Sequence, residues 1–333
     1  MRMPARTSQL TQAPGAGADA VVVDGLVKRF GRTTALDGVS FSVRAGELFG
    51  FIGPDGGGKT TLLRILTTLL VPTAGTAHVL GQDVVKGLWT LRPRIGYMPG
   101  RFSLYPDLSV EENLRFFASV FGTSVEREYE QIAPIYTQIE AFKDRRAAAL
   151  SGGMKQKLAL CCALVHRPEI LFLDEPTTGV DAVSRREFWD LLDQLKATRL
   201  TIVVSTPYMD EAKRCDRVAL VQRGRLLALD TPGAITASFD RPLLAVHADN
   251  RYRALLALRD YPGTHTIYPF GAVLHYTDQR RDAAVDQIAG ELKTFLETRG
   301  FRDVRADRIP ATIEDSFMAF MGAPEEDRRT GAA

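Results

Sequence analysis

The stretch LFGFIGPDGGGKTTLLRIL, residues 48–66, decides the fold. Leu48 to Gly53 is a short apolar run ending in glycine, the pattern of a buried parallel strand. Lys59 to Leu70 then reads as a helix. Between them, Gly53-Pro54-Asp55-Gly56-Gly57-Gly58-Lys59-Thr60 fits the spacing G-x-x-x-x-G-K-[ST]. Glycines let the backbone fold into a concave nest of N–H donors around phosphate oxygens. The positive end of the following helix points at the same place. Lys59 adds a full charge for the β- and γ-phosphates, and the Thr60 hydroxyl stands where a Mg²⁺ ligand is needed. The plain alternative is a glycine-rich turn with a chance lysine, and the strand before and helix after argue against it.

Working outward, Ile170-Leu171-Phe172-Leu173-Asp174-Glu175 is an apolar strand that lifts two acids to its carboxyl end. Ligands bind there in open α/β sheets. Asp174 suits a water-mediated hold on Mg²⁺, and Glu175 suits a general base that polarises an attacking water. A strand ending in Asp-Glu is common alone; it becomes specific beside the glycine-rich loop. Leu150-Ser151-Gly152-Gly153-Met154-Lys155-Gln156-Lys157 opens a second helix with a serine and two glycines. It is another anion-binding terminus or, read plainly, a well-capped helix.

Strands alternate with helices on both sides of these motifs, which implies a mostly parallel α/β sheet. VVVDGLVKRF and VSFSVRAG read as strands, with Val39, Phe41 and Val43 alternating toward one face. Residues 107 to 165 read mostly helical, with Ser109 and Glu112 forming a capping box. Helix 185–198, strand 201–205 and two strands joined at Arg223-Gly224 follow. Beyond residue 240 the elements read βαββαβ, the ferredoxin-like order, with Val285, Ile288, Leu292, Phe295 and Leu296 on one helical face. The domains read as 20–238, with a helical sub-lobe at about 100–165, and a small α+β domain at 239–323. Disordered tails are expected at 1–19 and 324–333.

Composition sets the outer bounds. The 333 residues are 45% hydrophobic and 25% charged, as in a soluble globular chain. A net charge of +2 gives no bulk field for nucleic acid, and no nucleic-acid partner is expected. Cys161, Cys162 and Cys215 lack zinc-ligand spacing and read as small buried hydrophobes. The most apolar stretch, Leu62 to Val71, is interrupted by Arg64 and two threonines, too short for a bilayer. The N-terminus has no apolar centre and does not read as a secretory signal. Any membrane role is therefore expected from the cytosolic side, through a partner. Trp89 and Trp189 read as packing residues, His166 as a loop or capping residue, and Arg185-Arg186 as a solvated face.

The motif order is glycine-rich loop, LSGGM, Asp-Glu strand, then Thr178-Gly179-Val180-Asp181. Over roughly residues 20 to 235 it resembles the nucleotide-binding subunit of an ATP-binding-cassette (ABC) transporter. The resemblance implies a P-loop NTPase cassette with a mixed sheet core, binding ATP and Mg²⁺. It implies two nucleotide-binding domains closing head-to-tail over two ATP molecules. Gly53, Pro54, Asp55, Gly56, Gly57, Gly58, Lys59, Thr60 and Thr61 would hold the phosphates. Thr60 and Asp174 would hold the metal, and Lys59 and Glu175 would serve catalysis. Ser151, Gly152 and Gly153 would reach the γ-phosphate held by the partner, with Asp181 at the dimer interface. Phe30 matches the aromatic that stacks on adenine; read alone, it is a core residue ending a strand. GYMPGRFSLYPDLSVEENL, LSGGMKQKLAL and STPYMDEAKRCDRV resemble exporters of drugs, antibiotics and polysaccharides, with a separate membrane permease as partner. The tail ATIEDSFMAFMG is similar to that group's accessory domain.

Two positions depart from the family. Gly100 stands where a glutamine helps ligate Mg²⁺, and Pro207 where a histidine bridges the γ-phosphate and the catalytic glutamate. Proline offers neither a side-chain donor nor an N–H; it suits a first helical turn with Thr206 as N-cap. A weakened ATP site is therefore expected, in a heterodimer with an intact nucleotide-binding partner or in a slower homodimer. A non-catalytic ATP-gated regulatory subunit is a further reading. A soluble translation or repair protein fits poorly, since the chain has one cassette and no long heptad insertion.

Overall fold

A computed structural model describes residues 18–322, which form two compact units, 18–232 and 233–322. The expected tails lie outside the described residues, except that Ala18 is described and Asp19 already opens the first strand.

The first unit begins with an antiparallel pair, β1 (Asp19–Phe30) and β2 (Thr33–Arg44). Next come β3 (Leu48–Ile52), α1 (Lys59–Leu66), β4 (Ala74–Val79) and β5 (Gln82–Asp83). α1 stops four residues before the end read from the sequence. The Thr67 hydroxyl turns back to the Leu63 carbonyl at 2.8 Å and Thr68 adopts φ +63, which closes the helix. The chain continues through α2 (Leu88–Leu91), β6 (Ile95–Met98), α3 (Val110–Val120), α4 (Tyr129–Tyr136), α5 (Gly152–Leu164) and β7 (Ile170–Asp174). It ends through α6 (Ala182–Ala197), β8 (Thr201–Thr206), β9 (Arg217–Gln222) and β10 (Arg225–Asp230).

Two sheets result. One is antiparallel, in the order β2-β1-β4-β5; the other has six strands, β10-β9-β3-β8-β7-β6, parallel except for the β9–β10 hairpin. Every residue of β3, β7 and β8 is buried, so both faces are covered and the motifs at their carboxyl ends are firmly held. Phe41 of β2 meets Phe51 of β3 edge-on at 5.0 Å, tying the sheets into one core. Full burial of such a ring contributes about 1.5–3 kcal/mol. The capping box forms: Ser109 Oγ accepts from Glu112 N at 3.1 Å, and Glu112 accepts from Ser109 N at 2.7 Å.

The second unit gathers most of α7 (Pro232–Ala237), then β11 (Leu243–His247), α8 (Arg251–Arg259), β12 (Thr264–Phe270), β13 (Val273–Asp278), α9 (Val285–Glu297), β14 (Arg305–Ile309) and α10 (Ile313–Gly322). Its antiparallel sheet runs β12-β13-β11-β14. Ile288, Leu292 and Leu296 of α9 are buried, the face the periodicity marks. The division falls at Pro232, ahead of the 238/239 break in the sequence pattern. Ser316 of α10 donates to the Ile235 carbonyl at 3.2 Å and so holds α7 with the second unit.

Two packing expectations divide. Trp189 is buried, but Trp89 is 72% exposed and carries the Arg92 guanidinium 5.0 Å over its ring. All three cysteines are buried free thiols, and burial pushes each well above the usual thiol range.

Candidate nucleotide site

The loop between β3 and α1 owes its shape to what lies behind it. A Cβ on Gly53 would stand 2.0 Å from the Val221 carbonyl oxygen, so only glycine fits. Gly58 adopts φ +102 with its would-be Cβ 2.6 Å from the Ala35 oxygen, a second position closed to any side chain. Gly224 N, in the β9–β10 turn, donates to Gly57 O at 2.9 Å, and Gly57 N donates to Pro54 O at 3.1 Å. Pro54, Asp55 and Gly56 are exposed.

Lys59 opens α1 and is 3% exposed. Its ammonium donates to Gly53 O at 2.7 Å and Pro54 O at 3.0 Å, and pairs with Glu175 Oε1 at 3.1 Å. One residue on, Thr60 Oγ1 donates to Asp174 Oδ1 at 3.0 Å. Loop lysine, loop threonine, the last residue of β7 and Glu175 just after it thus meet, as the sequence pattern requires. Nearby Tyr97 stays neutral: burial first, and the Asp174 carboxylate second, push its phenol up to about 12. A cleft of about 300 Å³ opens here, lined by Phe30, residues 33–35, the loop residues 56–61 and Glu175. Phe30 is 50% exposed, with Lys28 Nζ 5.0 Å over its ring, so it is not a core residue.

Ser151, Gly152, Gly153 and Asp181 do not line this cleft. Ser151 caps α5, accepting from Met154 N at 3.3 Å, and both Ser151 and Gly152 are exposed. Gly153 is buried; a Cβ there would stand 2.6 Å from Ser184 Oγ, so glycine permits the approach of α5 to α6. Asp181 caps α6, accepting from the Val183 and Ser184 amides at 3.0 Å. Those bonds, Ser184 foremost, hold its carboxyl below the usual range.

Gly100 lies directly against the two acids, its would-be Cβ 2.8 Å from Asp174 O and 3.7 Å from Glu175 Cβ. Pro207 follows the last residue of β8, but Thr206 is not a helix cap. The next helical turn is 3₁₀ and begins at Met209 with no side-chain cap. The Thr206 hydroxyl instead donates to the buried carboxylate of Glu211 and accepts from Tyr208 N at 3.1 Å. Glu211 also accepts from Thr177 Oγ1 at 2.8 Å. The motifs of the sequence mark none of Ser205, Glu211 and Thr177 as a site residue; polar residues beside an otherwise apolar strand are the available signal. Arg185 is not simply solvated, since it stacks on Tyr208 at 4.8 Å and pairs with Asp210 at 3.1 Å. His166 is buried, stacked on Phe121 at 3.7 Å with Nε2 3.0 Å from Ile95 O.

A phosphate loop and an acid-ended strand on a mostly parallel six-stranded sheet define a P-loop nucleotide-binding ATPase of the cassette class. Residues 36–178 match the ABC transporter family. The chain is 46% identical over 217 residues to "Probable multidrug ABC transporter ATP-binding protein YbhF" of Escherichia coli, covering 64% of this chain but only 37% of that protein's length. It is 40% identical over 312 residues to "Nod factor export ATP-binding protein I" of Paraburkholderia xenovorans, covering 92% of this chain and 99% of the relative. Among solved structures, the dimeric post-hydrolysis state of the ATP-binding cassette MJ0796 bound to ADP and Pi is similar, with a TM-score of 0.58 and 26% identity. It covers 63% of this chain and 98% of that one. The chain belongs to the ABC transporter family. It is accordingly a nucleotide-binding ATPase. Among the described residues no helix is long and apolar enough to cross a membrane.

Proposed function

We propose that the chain is the ATP-binding and hydrolysing subunit of an exporter, closing head-to-tail with a second nucleotide-binding domain to drive a separate membrane permease. One observation carries the reading: a single cleft gathers an aromatic ring, the glycine-rich loop, a buried ammonium and a carboxylate. Adenine stacks on Phe30, a contact of ~0.5–1.5 kcal/mol beyond its buried area. A γ-phosphate competes with Glu175 for the Lys59 ammonium. That exchange frees the Glu175 carboxylate to take a proton from the attacking water.

The residues fit Mg²⁺. Asp174 Oδ1 takes two hydroxyl hydrogen bonds and has no cationic partner among the described residues. A carboxylate beside a hydroxyl is a donor set for a hard divalent cation. Thr60 and Asp174 would hold it, and when bound it neutralises charge on the β- and γ-phosphates. Ser151, Gly152 and Gly153 are offered to the partner's ATP, with Asp181 at the same interface; the dimeric cassette relative supports such pairing. The subunit serves the cytoplasmic face of the membrane through its permease, and the relative named for Nod factor export supports the direction. The second unit we read as a ferredoxin-like accessory domain for dimerisation or regulation.

We further propose that Gly100 and Pro207 weaken the chain's own site and favour a heterodimer with an intact nucleotide-binding partner. Losing one positioned polar group costs ~2.7–4 kcal/mol at a transition state. The close contact of Gly100 with Asp174 O leaves no room for a side chain without a backbone shift. The test is steady-state MgATP hydrolysis by wild type, Pro207→His and Lys59→Ala. Wild type near the Lys59→Ala background, with a rise in Pro207→His, supports the weakened site. Full wild-type turnover abolished by Lys59→Ala supports the homodimer.

A further inference from the structure

We infer that Ser205 is a positioning residue of the nucleotide site, its one hydroxyl setting the cation-binding Asp174 and the water-polarising Glu175 relative to each other; this rests on the ATPase reading above. Ser205 is the penultimate residue of β8, fully buried, and stands opposite Asp174 in the parallel pairing of β7 with β8. A serine hydroxyl has one proton to give. Here it goes to Asp174 Oδ1 at 2.8 Å, the same oxygen that receives the Thr60 hydroxyl. Ser205 Oγ in turn accepts the Glu175 N–H at 3.1 Å.

Glu175 needs that hold. Its φ of +50 lies in the left-handed region. For a residue with a Cβ this costs about 1–2 kcal/mol, so something must fix the turn. The Glu175 N–H also reaches Ser205 O at 3.0 Å, so one residue grips it twice.

The strand end is itself anchored. Thr206 O accepts from Gly53 N at 3.2 Å, tying β8 to the first residue of the phosphate loop. Its side chain is bound to buried Glu211, which also takes Thr177 Oγ1. Packing does not require a hydroxyl at 205, since Val203 and Val204 before it are apolar and equally buried. Gly100 has no side chain and Pro207 no donor. Thr60 and Ser205 are therefore the two side chains that hydrogen-bond Asp174 among the described residues.

The experiment is ATP titration by calorimetry, with Mg²⁺ and again with EDTA, on the full chain as wild type, Ser205→Ala and Ser205→Thr. Melting temperatures serve as a control. Mg²⁺ is expected to tighten ATP binding in wild type. In Ser205→Ala that gain shrinks about tenfold or more while the EDTA affinity holds, because a hydrogen bond to a charged group is lost. Ser205→Thr keeps the hydroxyl and the gain. An unchanged gain in Ser205→Ala, equal weakening in EDTA, or a Ser205→Thr variant that behaves like alanine overturns the inference. Should Ser205→Ala not fold, Ser205→Cys takes its place, with a slightly larger side chain, a weaker donor and the same decisive outcomes. Wild type that binds no ATP overturns the nucleotide reading and this inference together. Wild type with a magnesium gain and an indifferent Ser205→Ala overturns the inference alone.

Discussion

The acids beside the cleft of the first unit and the buried acids of the second are partnered in opposite ways. In the first, Lys59 and Glu175 line an open cleft, and the Asp174 carboxylate, bound to Thr60 of that lining, has only hydroxyl partners among the described residues. In the second, the buried acids are closed on themselves. Asp315 accepts from His275 Nδ1 at 2.6 Å, Tyr268 at 3.0 Å and Thr312 N at 2.8 Å. Asp278 accepts from Tyr276 at 2.9 Å and from Arg280, which also reaches Glu291. A buried acid short of partners beside a cavity marks chemistry. A buried acid with every partner in place marks architecture.

The sharpest way to break this contrast is a crossed pair of substitutions. Asp315→Ala leaves the His275 and Tyr268 donors unpaired, at about 1–3 kcal/mol each. Hydrogen exchange should localise the loss to the second unit, while ATP binding stays intact. Lys59→Ala should do the reverse, weakening ATP binding about tenfold or more with exchange in the second unit unchanged. If Asp315→Ala removes ATP binding, the two classes of buried acid are not distinct.

A smaller effect is expected from acid. Burial raises the pKa of Asp278 and Asp315, but the hydrogen bonds from Arg280 and from His275 and Thr312 prevail and hold both below the ordinary 3.8. A group depressed in the folded state contributes stability that is complete above its unfolded pKa. That contribution is lost as pH falls through the folded value. Denaturant midpoints followed from pH 6 downward should therefore drop below about pH 4, and Asp278→Asn should flatten the drop. Smallest is Ser109→Ala, which removes the cap of α3 at a cost of ~1 kcal/mol, read as a shift in melting temperature.

Much of this was legible in the residues. The phosphate loop announced itself because its glycines, lysine and threonine are fixed by phosphate geometry and sit between an apolar strand and a helix. The capping box was visible because Ser109 and Glu112 are local partners. What escaped was non-local. Ser205 reads as one more buried strand residue until β7 and β8 are paired and Asp174 faces it. Thr206 reads as a cap because its true partner, Glu211, lies past an irregular turn that no periodicity marks. Trp89 reads as a packing residue because aromatic character alone does not distinguish a core ring from one under an arginine.

The Arg223-Gly224 turn looks like any exposed hairpin tip, the usual place to splice in a tag or a fluorescent reporter. In this protein it is a poor choice. Gly224 is buried; its carbonyl accepts from Asp37 N and its N–H supports Gly57, both at 2.9 Å. A Cβ there would stand 2.5 Å from Ala35 O. An insertion at that tip would therefore reach the phosphate loop from behind, silencing the protein without touching one residue of its cleft.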